Sequence, residues 1–71
     1  MTVKDYALRF YQNYDALKQE HGVKDVDVSR ATGVSSTTLS EWKKGLYLPS
    51  VLKLKPIADF FGVSLDELVK E

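Results

Sequence analysis

Residues 33–45 read GVSSTTLSEWKKG. Gly33 and Gly45 bracket the stretch, and Ser35 stands where a short hydroxyl accepts from the free amides at a helix start. The pattern predicts a helix over 36–44, capped by Ser35 and closed by Gly45. At about 100° per residue, Thr38, Leu39 and Trp42 share one side of that helix, and Ser36, Thr37, Ser40, Glu41 and Lys44 share the other. The first side is built to be buried. The second carries no large apolar group, and its side chains are short enough to let the helix backbone approach a partner closely.

Working outward, only Gly33, Val34 and Ser35 separate this helix from the one expected before it, 25–32, which should turn Val28, Ala31 and Thr32 inward. So short a connection forces a sharp crossing. Further upstream, Val3, Tyr6, Ala7, Phe10, Tyr14 and Leu17 follow the i, i+3, i+4, i+7 spacing of a helix over about 4–20, ended by Gly22. Leu8 and Tyr11 fall off that stripe. Downstream, Leu54, Ile57, Ala58 and Phe61 line a helix over 51–61 capped by Ser50. Pro56 cannot donate to the carbonyl of Leu52, so either this helix kinks or 51–54 form a separate turn, and one kinked helix is the reading taken. Ser64 and Glu67 have capping-box spacing, with Val63 and Leu68 at the staple positions of a last helix over 65–70. No stretch reads as a strand. The fold class is therefore all-α, five short helices in a compact bundle.

Composition narrows the chemistry. A chain of 71 residues is expected to form one domain, 1–71, with a small core. It has no cysteine and a single histidine, His21, so neither a metal site nor another cofactor is expected. No apolar run approaches the roughly 18 residues that span a bilayer, and the charged start MTVKDYALRF is unlike a signal peptide, which points to a cytoplasmic protein without a membrane role. No base stands near the serines in sequence and no glycine-rich phosphate loop is present, so neither an enzyme nor a small-molecule substrate is expected. Trp42, Tyr6 and Tyr14 belong to buried stripes and read as core rather than as platforms for single-stranded bases. Tyr11 and Tyr47 are left for other work.

Net charge is zero but unevenly placed. Residues 24–55 carry six positive charges against Asp25, Asp27 and Glu41, whereas 56–71 set Lys70 against Asp59, Asp66, Glu67 and Glu71. The positive excess coincides with the hydroxyl-faced helix.

The order of these pieces resembles the helix-turn-helix proteins of lambda-repressor and Cro type, the XRE family, over about residues 10–70. The residues that carry the resemblance are Gly33-Val34-Ser35, the run from Leu39 to Gly45, Pro49-Ser50, the run from Ile57 to Ser64, and Leu68. The Trp42-Lys43-Lys44-Gly45 variant looks like repressors of phages and prophages of Gram-positive bacteria. The resemblance implies a lambda-repressor-like bundle whose helix 25–32 crosses a DNA backbone while helix 36–44 lies in the major groove. Ser36, Thr37, Ser40 and Glu41 are then the base-reading residues, and Lys24, Ser35, Lys43, Lys44 and Tyr47 the backbone contacts. It also implies a homodimer on an inverted-repeat operator. Phe60, or Leu8 with Tyr11, would supply the dimer interface.

Three positions depart from the family pattern. Asp25 stands where many members carry a phosphate-binding glutamine, so Lys24 must compensate or the contact is absent. Lys18 and Lys43 stand where many members pair an arginine with a glutamate, and two lysines cannot pair. Residues 1–9 lengthen the first helix beyond its usual start. Zero net charge, Asp25 and the acidic C-terminal segment favour a competing reading as a protein-binding adaptor or antirepressor, against which stands the lack of any large apolar side chain among Ser36, Thr37, Ser40 and Glu41.

Overall fold

The computed structural model describes residues 1–71. It contains five α-helices and no strand: α1 (Val3–His21), α2 (Asp25–Thr32), α3 (Ser36–Lys43), α4 (Val51–Phe61) and α5 (Leu65–Val69). The expected element order and fold class hold, with ends shifted by a residue or so. α1 gains its first turn from a capping box not foreseen in the sequence. Thr2 Oγ1 accepts the N–H of Asp5 at 3.1 Å, and Asp5 Oδ2 accepts the N–H of Thr2 at 3.0 Å. That backbone hydrogen bond, aided by the Thr2 hydroxyl, holds the Asp5 carboxyl below its ordinary range.

Thirteen apolar residues form one core, to which every helix contributes. At its centre Trp42, fully buried, donates from Nε1 to the carbonyl of Ala7 at 2.9 Å. Tyr14 stacks on the indole at 4.9 Å between ring centroids, and Tyr11 meets it edge-on at 5.4 Å. The inner face of α3 is thus clamped by α1. α3 also packs on α2, α2 on α4, and α5 on α1 and α4.

Several expectations about individual side chains are corrected. Val3 is 67% exposed and Tyr6 stands at the surface, whereas Tyr11, expected off the stripe, is buried. The buried face of α1 is Ala7, Tyr11, Tyr14 and Leu17, with Phe10 packed beside it, so the expected stripe holds at Ala7, Phe10, Tyr14 and Leu17 and is extended by Tyr11 and by the part-buried Lys18. Leu8 is half-buried and sits against Gly45, which removes both members of the Leu8 and Tyr11 pair as a free partner surface. Ala31 is exposed, because α2 turns Val28 inward with Thr32 flanking it. Neither Ser50 nor Ser64 makes a side-chain capping bond. Glu67, expected in a capping box, accepts from Lys70 Nζ at 3.1 Å instead. What holds the short α5 is Asn13, whose Nδ2 donates to the carbonyls of Leu68 and Lys70 at 3.0 and 2.7 Å. These are carbonyls the end of a helix leaves free. α4 runs unbroken through Pro56.

Trp42→Phe removes the indole donor, leaves the Ala7 carbonyl without its partner and opens space among Tyr11, Tyr14 and Leu39. The expected loss is about 2–3 kcal/mol. That corresponds to a fall in Tm of about 10–20 °C for a domain of this size, read by far-UV circular dichroism.

Candidate nucleic-acid interface

The α2–turn–α3 unit is held by local chemistry. Gly33 adopts φ 82°, a left-handed conformation that side chains disfavour, and its N–H donates to the carbonyl of Ser29. The Thr32 hydroxyl donates to the carbonyl of Val28 at 2.7 Å and accepts the N–H of Val34 at 3.2 Å, while Val34 drops its side chain into the core. The turn is therefore pinned at its polar and apolar sides together. Ser35 Oγ accepts the N–H of Thr38 at 3.1 Å and donates to Thr38 Oγ1 at 2.9 Å. The expected cap of α3 is present. At the other end Gly45, at φ 75°, lets the N–H of Leu46 reach the carbonyl of Glu41 at 2.9 Å.

On this frame Ser36, Thr37, Ser40 and Glu41 are all exposed, with Lys43 and Lys44 at the far end of α3 and Lys24 before α2. None of these four base-reading candidates uses its side chain in a hydrogen bond within the chain. Lys24, Lys43 and Lys44 form no ion pair, the four ion pairs being Lys18 with Asp15 and with Asp25, Lys55 with Asp59, and Lys70 with Glu67. The N–H groups of Ser36 and Thr37 lie at the unpaired, electropositive start of α3. Tyr47 is half-buried, with Lys53 Nζ 5.4 Å from its ring centre.

Charge separates in space as it does in sequence. Asp66, Glu67 and Glu71 lie on or after α5, which packs on α1 and α4, while α3 packs on α1 and α2. Asp25 does not face outward as a bare carboxylate. Its Oδ1 takes Lys18 Nζ at 2.7 Å and the Tyr14 hydroxyl at 2.8 Å, and Lys18 Nζ also reaches Tyr11 at 3.2 Å. The lysine that could not pair with Lys43 pairs here. Sequence reasoning missed this network because its members lie at i, i+3, i+7 and i+14 from Tyr11 across a helix break; the signal available was a lysine on the apolar stripe of α1.

Burial, and then the bond to Asp25, raise the Tyr14 hydroxyl far above its ordinary range. For Lys18, burial pulls downward, but the hydrogen bonds to Asp25 and Tyr11 outweigh it and leave the ammonium above its ordinary 10.5.

Residues 15–68 match a family model described as Helix-turn-helix. The chain belongs to the XRE family of helix-turn-helix proteins. No curated protein and no solved structure matches it. The helix-turn-helix match begins inside α1, so Met1 to Tyr14 lie before it. The family is one of DNA-binding transcription regulators, and no helix of the chain is long and apolar enough to cross a membrane.

Asp25→Ala strands Lys18 Nζ and the Tyr14 hydroxyl in a partly buried site, and is expected to cost about 2 kcal/mol in urea unfolding. Because both the Lys18 and Tyr14 protons are held more tightly in the folded chain, their contribution is complete below about pH 10 and is lost as pH rises through the raised folded values. The urea midpoint should therefore be level from pH 7 to 9 and fall above about 10, less steeply in Tyr14→Phe than in the wild type.

Proposed function

We propose that the chain binds double-stranded DNA sequence-specifically, with α3 in the major groove and α2 across the backbone, as a transcriptional repressor of phage or prophage type. The observation that carries this reading is the outer face of α3. Ser36, Thr37, Ser40 and Glu41 form an exposed row of hydrogen-bonding groups with no partner in the chain, on a helix whose back is locked by Trp42. Hydroxyls read several base edges, the Thr37 methyl meets a thymine methyl, and Glu41 accepts from a cytosine amino group. Lys24, Lys43, Lys44, Tyr47 and the front of α3 at Ser35 hold phosphates. The Ser35 hydroxyl is committed to Thr38, so the backbone N–H groups there are the phosphate donors.

Asp25, held by Lys18 and Tyr14, is partly neutralised rather than opposed to the DNA. Residues 1–71 act as one domain in the cytoplasm, with 1–9 as the extension of α1. One copy neutralises few phosphates, so two copies bind an inverted repeat with half-sites about one helical turn apart. Phe60, 38% exposed, remains the dimer candidate. Leu46 at 69% and Leu52 at 86% exposure favour a second reading, a protein-binding adaptor. Leu46 follows α3 and Leu52 lies on α4, so neither belongs to the outer row of α3.

Selection of bound duplexes from a random pool at near-physiological salt is expected to enrich an inverted repeat. Glu41→Gln should change the preferred base at one position in each half-site, a discrimination worth about 1–3 kcal/mol, and leave its neighbours alone. Negligible binding to the pool even at low salt would overturn the DNA reading in favour of a protein partner.

A further inference from the structure

α1 begins well before the matched helix-turn-helix, and its first turns lie against the end of α3. A Cβ placed on Gly45 would come within 3.0 Å of Lys4 Cγ and 3.1 Å of Leu8 Cγ. The stem of Lys4 is therefore seated over the glycine that closes α3, directly after Lys43 and Lys44. A side chain at 45 would crowd that stem and Leu8, and Gly45 also takes a positive φ that side chains disfavour. Lys4 is exposed and forms no ion pair. The adjacent carboxylate, Asp5, is turned back onto the N–H of Thr2. The next cation along α1, Arg9, is directed elsewhere, to the carbonyl of Glu71. The stem of Lys4 thus comes from α1 to the end of α3 that carries Lys43 and Lys44, and none of the three lysines forms an ion pair within the chain.

From this placement we infer that Lys4 is a phosphate-binding residue, which extends the DNA contact of α3 onto the N-terminal extension of α1. The inference rests on the proposed DNA reading. Its physical content is specific. The (CH₂)₄ stem is anchored over Gly45 and Leu8, so the ammonium is presented with less loss of side-chain freedom than a free surface lysine suffers. A backbone contact of this kind adds affinity without sequence information and appears in the salt dependence.

The test is a salt titration of duplex binding by fluorescence anisotropy, with wild type, Lys4→Gln, Lys4→Arg, Lys44→Gln and Lys70→Gln, each first shown to be folded by circular dichroism. Lys70 is paired with Glu67 at the end of α5 and serves as the control. If Lys4 holds a phosphate, Lys4→Gln reduces the slope of log K against log salt by about 0.9, equivalent to about an eightfold loss at 0.1 M salt. The loss is the same on selected and random duplexes, Lys4→Arg restores the slope, and Lys70→Gln leaves it unchanged. A Lys4→Gln slope equal to wild type, while Lys44→Gln lowers it, would overturn the inference alone. Absence of duplex binding by the wild type would overturn it together with the proposed function.

Discussion

The seat of Trp42 is the constraint on which the rest of the molecule depends. Its ring fills the space between α1 and α3, and its single polar atom finds the Ala7 carbonyl, so a large side chain is buried without an unpaired donor. Tyr14 and Tyr11 close around it from α1. This fixes both the distance and the rotation of α3. The polar row from Ser36 to Glu41 faces outward because Leu39 and Trp42 cannot. An eight-residue helix in water would be marginal by itself, and α3 persists because its inner face is packed and both its ends are capped.

A second constraint joins α1 to α2 through charge. Asp25 at the start of α2 is gripped by Lys18 and Tyr14, so the angle at which α2 leaves the first helix is set by directional bonds as well as by Val28. Such a cluster is costly to bury unless its members satisfy one another, and here the carboxylate, ammonium and two phenols do so. The arrangement also changes what α2 offers a polyanion. A carboxylate that in the sequence stands at the phosphate side is turned toward α1, where its charge is matched.

Much of the fold was legible because local signals agreed with one another. The glycines at 22, 33 and 45, read as helix stops, all take positive φ and end or follow their helices, and the Ser35 cap and the stripe of α4 stand where spacing put them. The outward face of α3 was legible for the same reason, since Leu39 and Trp42 leave one orientation open. The failures have a common cause. Hydropathy assigns Lys18 to the surface and treats Tyr11 as spare, whereas the partial burial of Lys18 and the burial of Tyr11 follow from partners that are distant in sequence, Asp25 and Trp42. Ser64 and Glu67 had capping spacing, but Glu67 reaches Lys70 instead, and Asn13 of α1 secures the helix from its other end.

Periodicity and punctuation in the sequence by itself determined five helices, the three-residue turn and the identity of the exposed hydroxyl row, because these depend on residues within one or two turns of each other. Only the tertiary structure decided that Tyr11 joins the buried face of α1 while Val3 and Tyr6 leave it, what becomes of Asp25, and that Lys4 lies over Gly45 beside the end of α3. Those outcomes depend on side chains meeting across helices, where the geometry of a hydrogen bond or the missing Cβ of a glycine selects among orientations that local pattern leaves equivalent.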